Sequence, residues 1–185
     1  TEIIKHLGFS ENQIDVVPLG VNEHFFQCIS ENEKQATLLS LGINTPFFLF
    51  VGSIQPRKNL TRLLEAHALL PQSLAQQYPL IIAGKLAWDD GTTLITIKRA
   101  IAEGRAKWLN YITEAQKHCL LQSATALTFT SLYEGFGLPI TEAFASGLPV
   151  ITSNCTSMPE VAGNAALLVD PQNTQQITQS LEGII

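Results

Sequence analysis

Two short stretches of this 185-residue chain put charged side chains where a phosphorylated ligand would need them. The first is GSIQPRKN, residues 52–59. It follows an apolar run and precedes a helical pattern, so it joins a strand end to a helix start. Asn59 is a good N-cap. Free N–H groups and the positive end of a helix dipole then point out of the sheet. Arg57 and Lys58 stand beside them, and a diphosphate would meet two cations and a helix terminus together. The dipeptide by itself also reads as an ordinary turn with two solvated charges. Its position after a buried strand favours the anion site.

The second stretch is SLYEGFGLPITE, residues 131–142. Glu134 falls in a loop and Glu142 in the helix that follows. Ile140, Ala143, Phe144 and Gly147 share one face of that helix. Glu142 lies off that face, free to meet solvent or ligand at no interior burial cost. Gly135 and Gly137 permit backbone shapes, and close approach to a ligand, that side chains would forbid. The helix that opens after Gly137 offers a second anion-friendly terminus. A loop carboxylate suits sugar hydroxyls, and a helix carboxylate suits a ribose. Spacing equally allows Glu134 as a helix cap and Glu142 as a surface charge.

Two further loops could join them. Lys85, after Gly84, can reach a phosphate or a sugar hydroxyl, or can sit in a plain surface turn. Asn110, Tyr111 and Ile112 could form a flat pocket for a base, or Tyr111 could simply pack on the domain. Asp89 and Asp90 are adjacent acids of the kind usually solvated, and no partner cluster supports a metal there. The four histidines are scattered, without HxxxH or HExxH, so no metal site is expected. His67 falls on the buried side of its helix and reads as a core residue. GxGxxG, GxxxxGK[ST] and GxSxG do not occur.

Such loops need a frame behind them. Apolar runs predict strands over 14–18, 46–51, 79–83, 106–109, 124–130, 148–152 and 165–169. Helical spacing predicts helices over 60–70, 92–103, 113–123, 138–146 and 173–183, with a single turn at 158–162. Pro139 near a helix start and Gly147 just past its end fit that assignment. Alternating strands and helices imply parallel pairing through right-handed crossovers. The expected fold is α/β: a three-layer sandwich around a doubly wound, mostly parallel, Rossmann-like sheet. Ligands of such sheets bind beyond the carboxyl ends of the strands, where the loops above lie. Residues 1–40 are more polar and read as a lead-in from another domain.

Composition sets outer bounds. Hydrophobic residues make up 45% and charged residues 15%, as in a globular domain. The formal net charge is −5, with no basic tract to hold a nucleic-acid backbone. No apolar run is long enough to span a bilayer. Three cysteines without CxxC spacing read as reduced thiols of a cytoplasmic protein. The first residue is not Met, and the last pattern stops inside a helix, so residues 1–185 read as one excised domain.

Taken together, FVGSIQPRKNL (50–60), AGK (83–85), SLYEGFGLPITEA (131–143), ASGLPVI (145–151) and MPEV (158–161) resemble the group 1 retaining glycosyltransferases, family GT4, of the GT-B fold. The E-x7-E element from Glu134 to Glu142 is the most specific piece. IDVVPLGVN (14–22) is similar to the family's segment just after the crossing between its two domains. The resemblance implies the C-terminal half of a GT-B enzyme, which binds a nucleotide-diphosphate sugar without a required metal or cofactor. The acceptor, a glycan or lipid-linked sugar in polysaccharide assembly, would sit on an N-terminal domain absent from this chain. Any peripheral membrane contact would belong largely to that half.

By the same resemblance Arg57 and Lys58 neutralise the diphosphate beside Gly52 and Ser53, and Glu134 holds the donor sugar. Gly135, Phe136, Gly137 and Leu138 position sugar and phosphate, Glu142 holds the ribose, and Tyr111 and Ile112 lie near the base. Glu160 would hold the neighbouring loop. The R-K-N form inclines toward GDP-mannose. Two departures stand out. The family often carries Arg where this chain has Ser53, and Gly near Asn110. A non-catalytic nucleotide-sugar-binding module and a GT-B nucleotide-sugar epimerase are the rival readings.

Overall fold

The computed structural model describes residues 2–88 and 91–185, except for the side chain of Glu2. Asp89 and Asp90, weighed above for a metal, lie outside the described residues. Among the described residues six parallel strands form one sheet in the order β3-β2-β1-β4-β5-β6. They are β1 (Phe48–Val51), β2 (Leu80–Ala83), β3 (Ala106–Asn110), β4 (Ala126–Phe129), β5 (Val150–Ser153) and β6 (Leu167–Val169). The doubly wound sheet is as expected, and its pairings are all parallel.

Side chains alternate across each strand and feed two apolar layers. Phe48 and Phe50 of β1 join Leu80 and Ile82 on one face. Leu49 joins Ile81, Leu127 and Phe129 on the other. The first layer is closed by α3 (Leu60–Ala68), α5 (Thr93–Ala102) and α9 (Thr174–Gly183), through Leu63, Leu64, Ile97, Ile177 and Leu181. The second is closed by α6 (Glu114–Ser123), α7 (Leu138–Ala145) and α8 (Met158–Ala162), through Leu120, Ile140, Ala143 and Met158. Full burial of each of the Leu, Ile, Phe and Met side chains contributes about 1.5–3 kcal/mol. That is why β1 and β2 read as unbroken apolar runs.

The lead-in departs from expectation. Residues 14–18 form no strand, and Val16 and Val17 remain 81% and 82% exposed. An apolar alternation becomes a strand only where a neighbour completes its ladder. Residues 2–40 also hold helices that the sequence pattern did not announce. Helix α1 (Glu2–Leu7) opens the chain, and α2 (Glu31–Ser40) starts with a Ser30 capping box. A 3₁₀ turn, Glu23–Phe26, drops Phe25 into the second apolar layer. A short polar helix, α4 (Gln72–Gln77), lacks the apolar repeat that would announce it.

His67 is fully buried, as expected of a core residue, with Nε2 2.8 Å from the Tyr78 carbonyl. Burial holds its pKa below the usual 6.5, and the Tyr78 bond opposes this only in part. The unfolded chain therefore takes up the proton more readily. Stability from this residue is fully present above pH 6.5 and is lost as the pH falls below it. Urea melts from about pH 7 to 5 are expected to show a slope of up to ~1.4 kcal/mol per pH unit from this group. His67→Gln should flatten it.

Candidate active site

Strand order reverses between β1 and β4. From β1 the chain steps outward to β2 and β3, and from β4 to β5 and β6 in the opposite direction. The crevice at the carboxyl ends of two such strands is where open α/β sheets bind ligands. Both charged loops found in the sequence open there. One follows β1 and carries Arg57 and Lys58, and the other follows β4 and carries Glu134.

These three side chains meet. Lys58 Nζ donates to Glu134 Oε1 at 2.6 Å, and an Arg57 guanidinium nitrogen donates to Oε2 at 2.8 Å. Lys58 is 7% exposed and Glu134 8%, while the Arg57 side chain is 42% exposed. Lys58 also lies 4.8 Å from the centre of the Phe129 ring. Burial pushes the Glu134 carboxyl upward. Hydrogen bonds from Lys58 and Arg57, with the Lys58 charge, outweigh it and hold the pKa below the usual range. Glu134 is ionised at neutral pH and can only accept hydrogen bonds.

The two loops are also laced through the backbone. Leu132 N–H donates to the Arg57 carbonyl at 2.8 Å, and Arg57 donates to the Tyr133 carbonyl at 2.9 Å. Asn59 differs from the expected side-chain cap. It takes a left-handed conformation, φ +58°, and its amide donates to the Thr130 and Pro171 carbonyls at 3.0 and 2.7 Å. Its side chain braces three segments and leaves the first N–H groups of α3 unfilled from that side.

The remaining expected residues divide. Gly137 has φ +110°, which a side chain rarely allows, and α7 begins behind it. Gly135 uses no such freedom, and a side chain there would meet open space. Phe136 is half-buried and Leu138 exposed. Glu142 is not free, contrary to expectation. It bonds Lys117 of α6 at 2.9 Å, and both side chains are 14% exposed. Burial pulls the Lys117 pKa down, but bonds to Glu114 and Glu142 more than compensate and hold it high. Lys117 also lies 4.9 Å from the Phe25 ring centre. No motif marks this lysine in the sequence.

Lys85 and Tyr111, proposed for different parts of a ligand, pack on each other, with Nζ 4.7 Å from the ring centre. They bring the loops after β2 and β3 together beside half-buried Ile112. Gly84 is required where the loops after β1 and β2 touch, because a Cβ there would collide with the Gly52 carbonyl. Ser53 is exposed and accepts from Gln55 at 3.1 Å. Glu160 is exposed, and Thr156 and Ser157 make the bonds that hold the 131–136 loop.

Residues 31–185 match the protein-family model for glycosyl transferases group 1. The chain belongs to the group 1 glycosyltransferases. It is 41% identical over 130 residues to the O-antigen chain mannosyltransferase B of Escherichia coli, covering 70% of this chain and 34% of that one. It is 28% identical over 184 residues to an MMP alpha-(1->4)-mannosyltransferase of Mycolicibacterium hassiacum, covering 98% and 42%. The chain thus spans well under half of these relatives.

Among solved structures, the glycosyltransferase WaaG of lipopolysaccharide biosynthesis superposes with TM-score 0.83 at 21% identity, over 99% of this chain and 50% of that one. Anabaena Alr3699/HepE in complex with UDP superposes with TM-score 0.80 at 21% identity, over 98% and 50%. These show a common fold. Asn110 now has an explanation in this group 1 glycosyltransferase. Its φ of +59° is the conformation glycine supplies most easily and asparagine tolerates.

Removing one partner of the buried cluster strands the others. Lys58→Met is expected to cost about 2–4 kcal/mol in urea melts, somewhat cushioned by Arg57. Lys58→Met combined with Glu134→Leu should be less destabilised than the two singles added, by about 1 kcal/mol or more. Additive losses would show that the pair does not couple.

Proposed function

We propose that this chain is the donor-binding domain of a retaining glycosyltransferase. In this reading a nucleotide-diphosphate sugar, GDP-mannose first, binds where the β1 and β4 loops meet. The sugar passes to a glycan or lipid-linked acceptor carried by a second, N-terminal domain. One observation carries the reading: two cations and an ionised carboxylate converge at the point where strand order reverses. Mannosyltransferase relatives support a mannosyl donor, and the UDP complex of a similarly folded protein supports a nucleotide ligand.

The chemistry follows from the residues. As the bond to the sugar breaks, negative charge builds on the departing diphosphate. Fixed cations stabilise that charge more than they stabilise the ground state. Arg57, half exposed, can turn toward a phosphate while Lys58 stays with Glu134. Glu134 cannot donate and would repel phosphate oxygens, so it suits sugar hydroxyls, which can donate to it. Gly52, Ser53 and the N–H groups near Gly135, Phe136, Gly137 and Leu138 line the path between. Glu142, held by Lys117, faces the ribose, and Lys85, Tyr111 and Ile112 take the base side.

Calorimetric titration with GDP, UDP, ADP and dTDP, with and without magnesium, tests this. One nucleotide is expected to bind without metal, and Arg57→Ala should weaken it by about tenfold or more. Arg57 is exposed enough for that change to leave the core intact. No binding of any nucleotide, or unchanged binding in Arg57→Ala, would overturn the site.

A further inference from the structure

The loop after β5 holds a strained residue that the reading above leaves unused. Thr156 has φ +56°. A β-branched residue rarely enters this region, and it stays there only where its surroundings over-determine it. Burial does not do so, because Thr156 is exposed. Its hydroxyl makes one bond, accepting from the Glu134 N–H at 3.3 Å.

The residues on either side point the same way. Ser153 Oγ donates to the Ser131 carbonyl at 2.7 Å, and Cys155 Sγ to the Leu132 carbonyl at 3.5 Å. Ser157 Oγ is shared between the Glu134 and Phe136 carbonyls at 3.0 and 2.8 Å. Side chains along 153–157 thus bond successive backbone groups along 131–136. At Glu134 both the N–H and the carbonyl are held. Glycine follows directly at Gly135, so the chain itself does little to restrict that peptide's orientation.

We propose that Thr156 is a positioning residue for Glu134. It keeps a strained conformation because that turn aims its hydroxyl at the Glu134 N–H, and so sets how the carboxylate meets the donor sugar. The proposal rests on the donor-site reading. It extends it to a residue that touches no ligand and acts only through Glu134.

Thr156→Gly relieves the strain and removes the hydroxyl. Thr156→Val keeps the shape and the strain but removes the acceptor, and Thr156→Ser keeps the acceptor. The probes are GDP-mannose against GDP, and UDP-glucose against UDP, by calorimetry, with unfolding midpoints recorded alongside. For Thr156→Gly the midpoint is expected within about 3 °C of wild type. Affinity for the sugar nucleotide should fall about three- to tenfold in Thr156→Gly and Thr156→Val, while the bare diphosphate changes by less than about twofold. Thr156→Ser should restore the sugar nucleotide to within about twofold. Unchanged sugar-nucleotide affinity in both Thr156→Gly and Thr156→Val would overturn the proposal. So would equal losses of sugar nucleotide and diphosphate, which mark a merely structural role. A wild-type chain that binds none of the four probes would overturn the donor-site reading instead.

Discussion

A carboxylate taken almost wholly out of water stays ionised only if cations accompany it. Glu134 meets that condition with Lys58 and Arg57, which belong to a loop 76 and 77 residues away in sequence. The ion cluster is therefore also the tie between the loops after β1 and β4. It can form only because these strands lie side by side, Leu49 opposite Leu127. Sheet order brings the loops together, and the backbone bond from Leu132 to Arg57 fixes their spacing. A single charge requirement thus links topology, loop conformation and site chemistry.

That requirement also bears on what the site can take. A buried pair gains little net stability, because desolvation offsets most of the attraction. Core stability comes instead from the two apolar layers around Phe48, Phe50, Leu49 and Phe129. The charged cluster sits just beyond them, with Lys58 against the Phe129 ring. In the proposed donor-site reading, an incoming diphosphate would compete with Glu134 for cations that are already in place. Little reorganisation is then needed beyond a turn of the exposed Arg57 side chain, and such preorganisation is the usual source of electrostatic catalysis.

Strands β1, β2, β4 and β5 were legible because they are buried on both faces and end in Gly or polar loops. Arg57, Lys58 and Glu134 were legible as residue types in the right loops. Their mutual pairing was not, since nothing in local spacing reports a contact across 76 residues. The same limit hid Lys117, whose partner Glu142 lies 25 residues on, and so made Glu142 look free. Residues 14–18 failed for the opposite reason. Their pattern suits a strand, but pairing is a property of two segments, and among the described residues no strand pairs with them. Asn59 was placed at the right helix start with the wrong task. A left-handed backbone turns its amide away from the helix and toward Thr130 and Pro171.

Strain gives the last link. The non-glycine residues with positive φ among those described are Asn59, Asn110 and Thr156. Each follows or ends a strand at the carboxyl edge, after β1, β3 and β5 respectively. The sheet and the helices behind them are regular, so the costly conformations gather where the loops must turn sharply toward one crevice. Asparagine enters the left-handed region with modest cost because its short polar side chain can bond locally. Threonine cannot claim that excuse. A sandwich with two filled apolar layers can carry about 1 kcal/mol or more of such strain. It is retained at Thr156 because the turn lets one hydroxyl hold the peptide of the buried carboxylate on which the site is built.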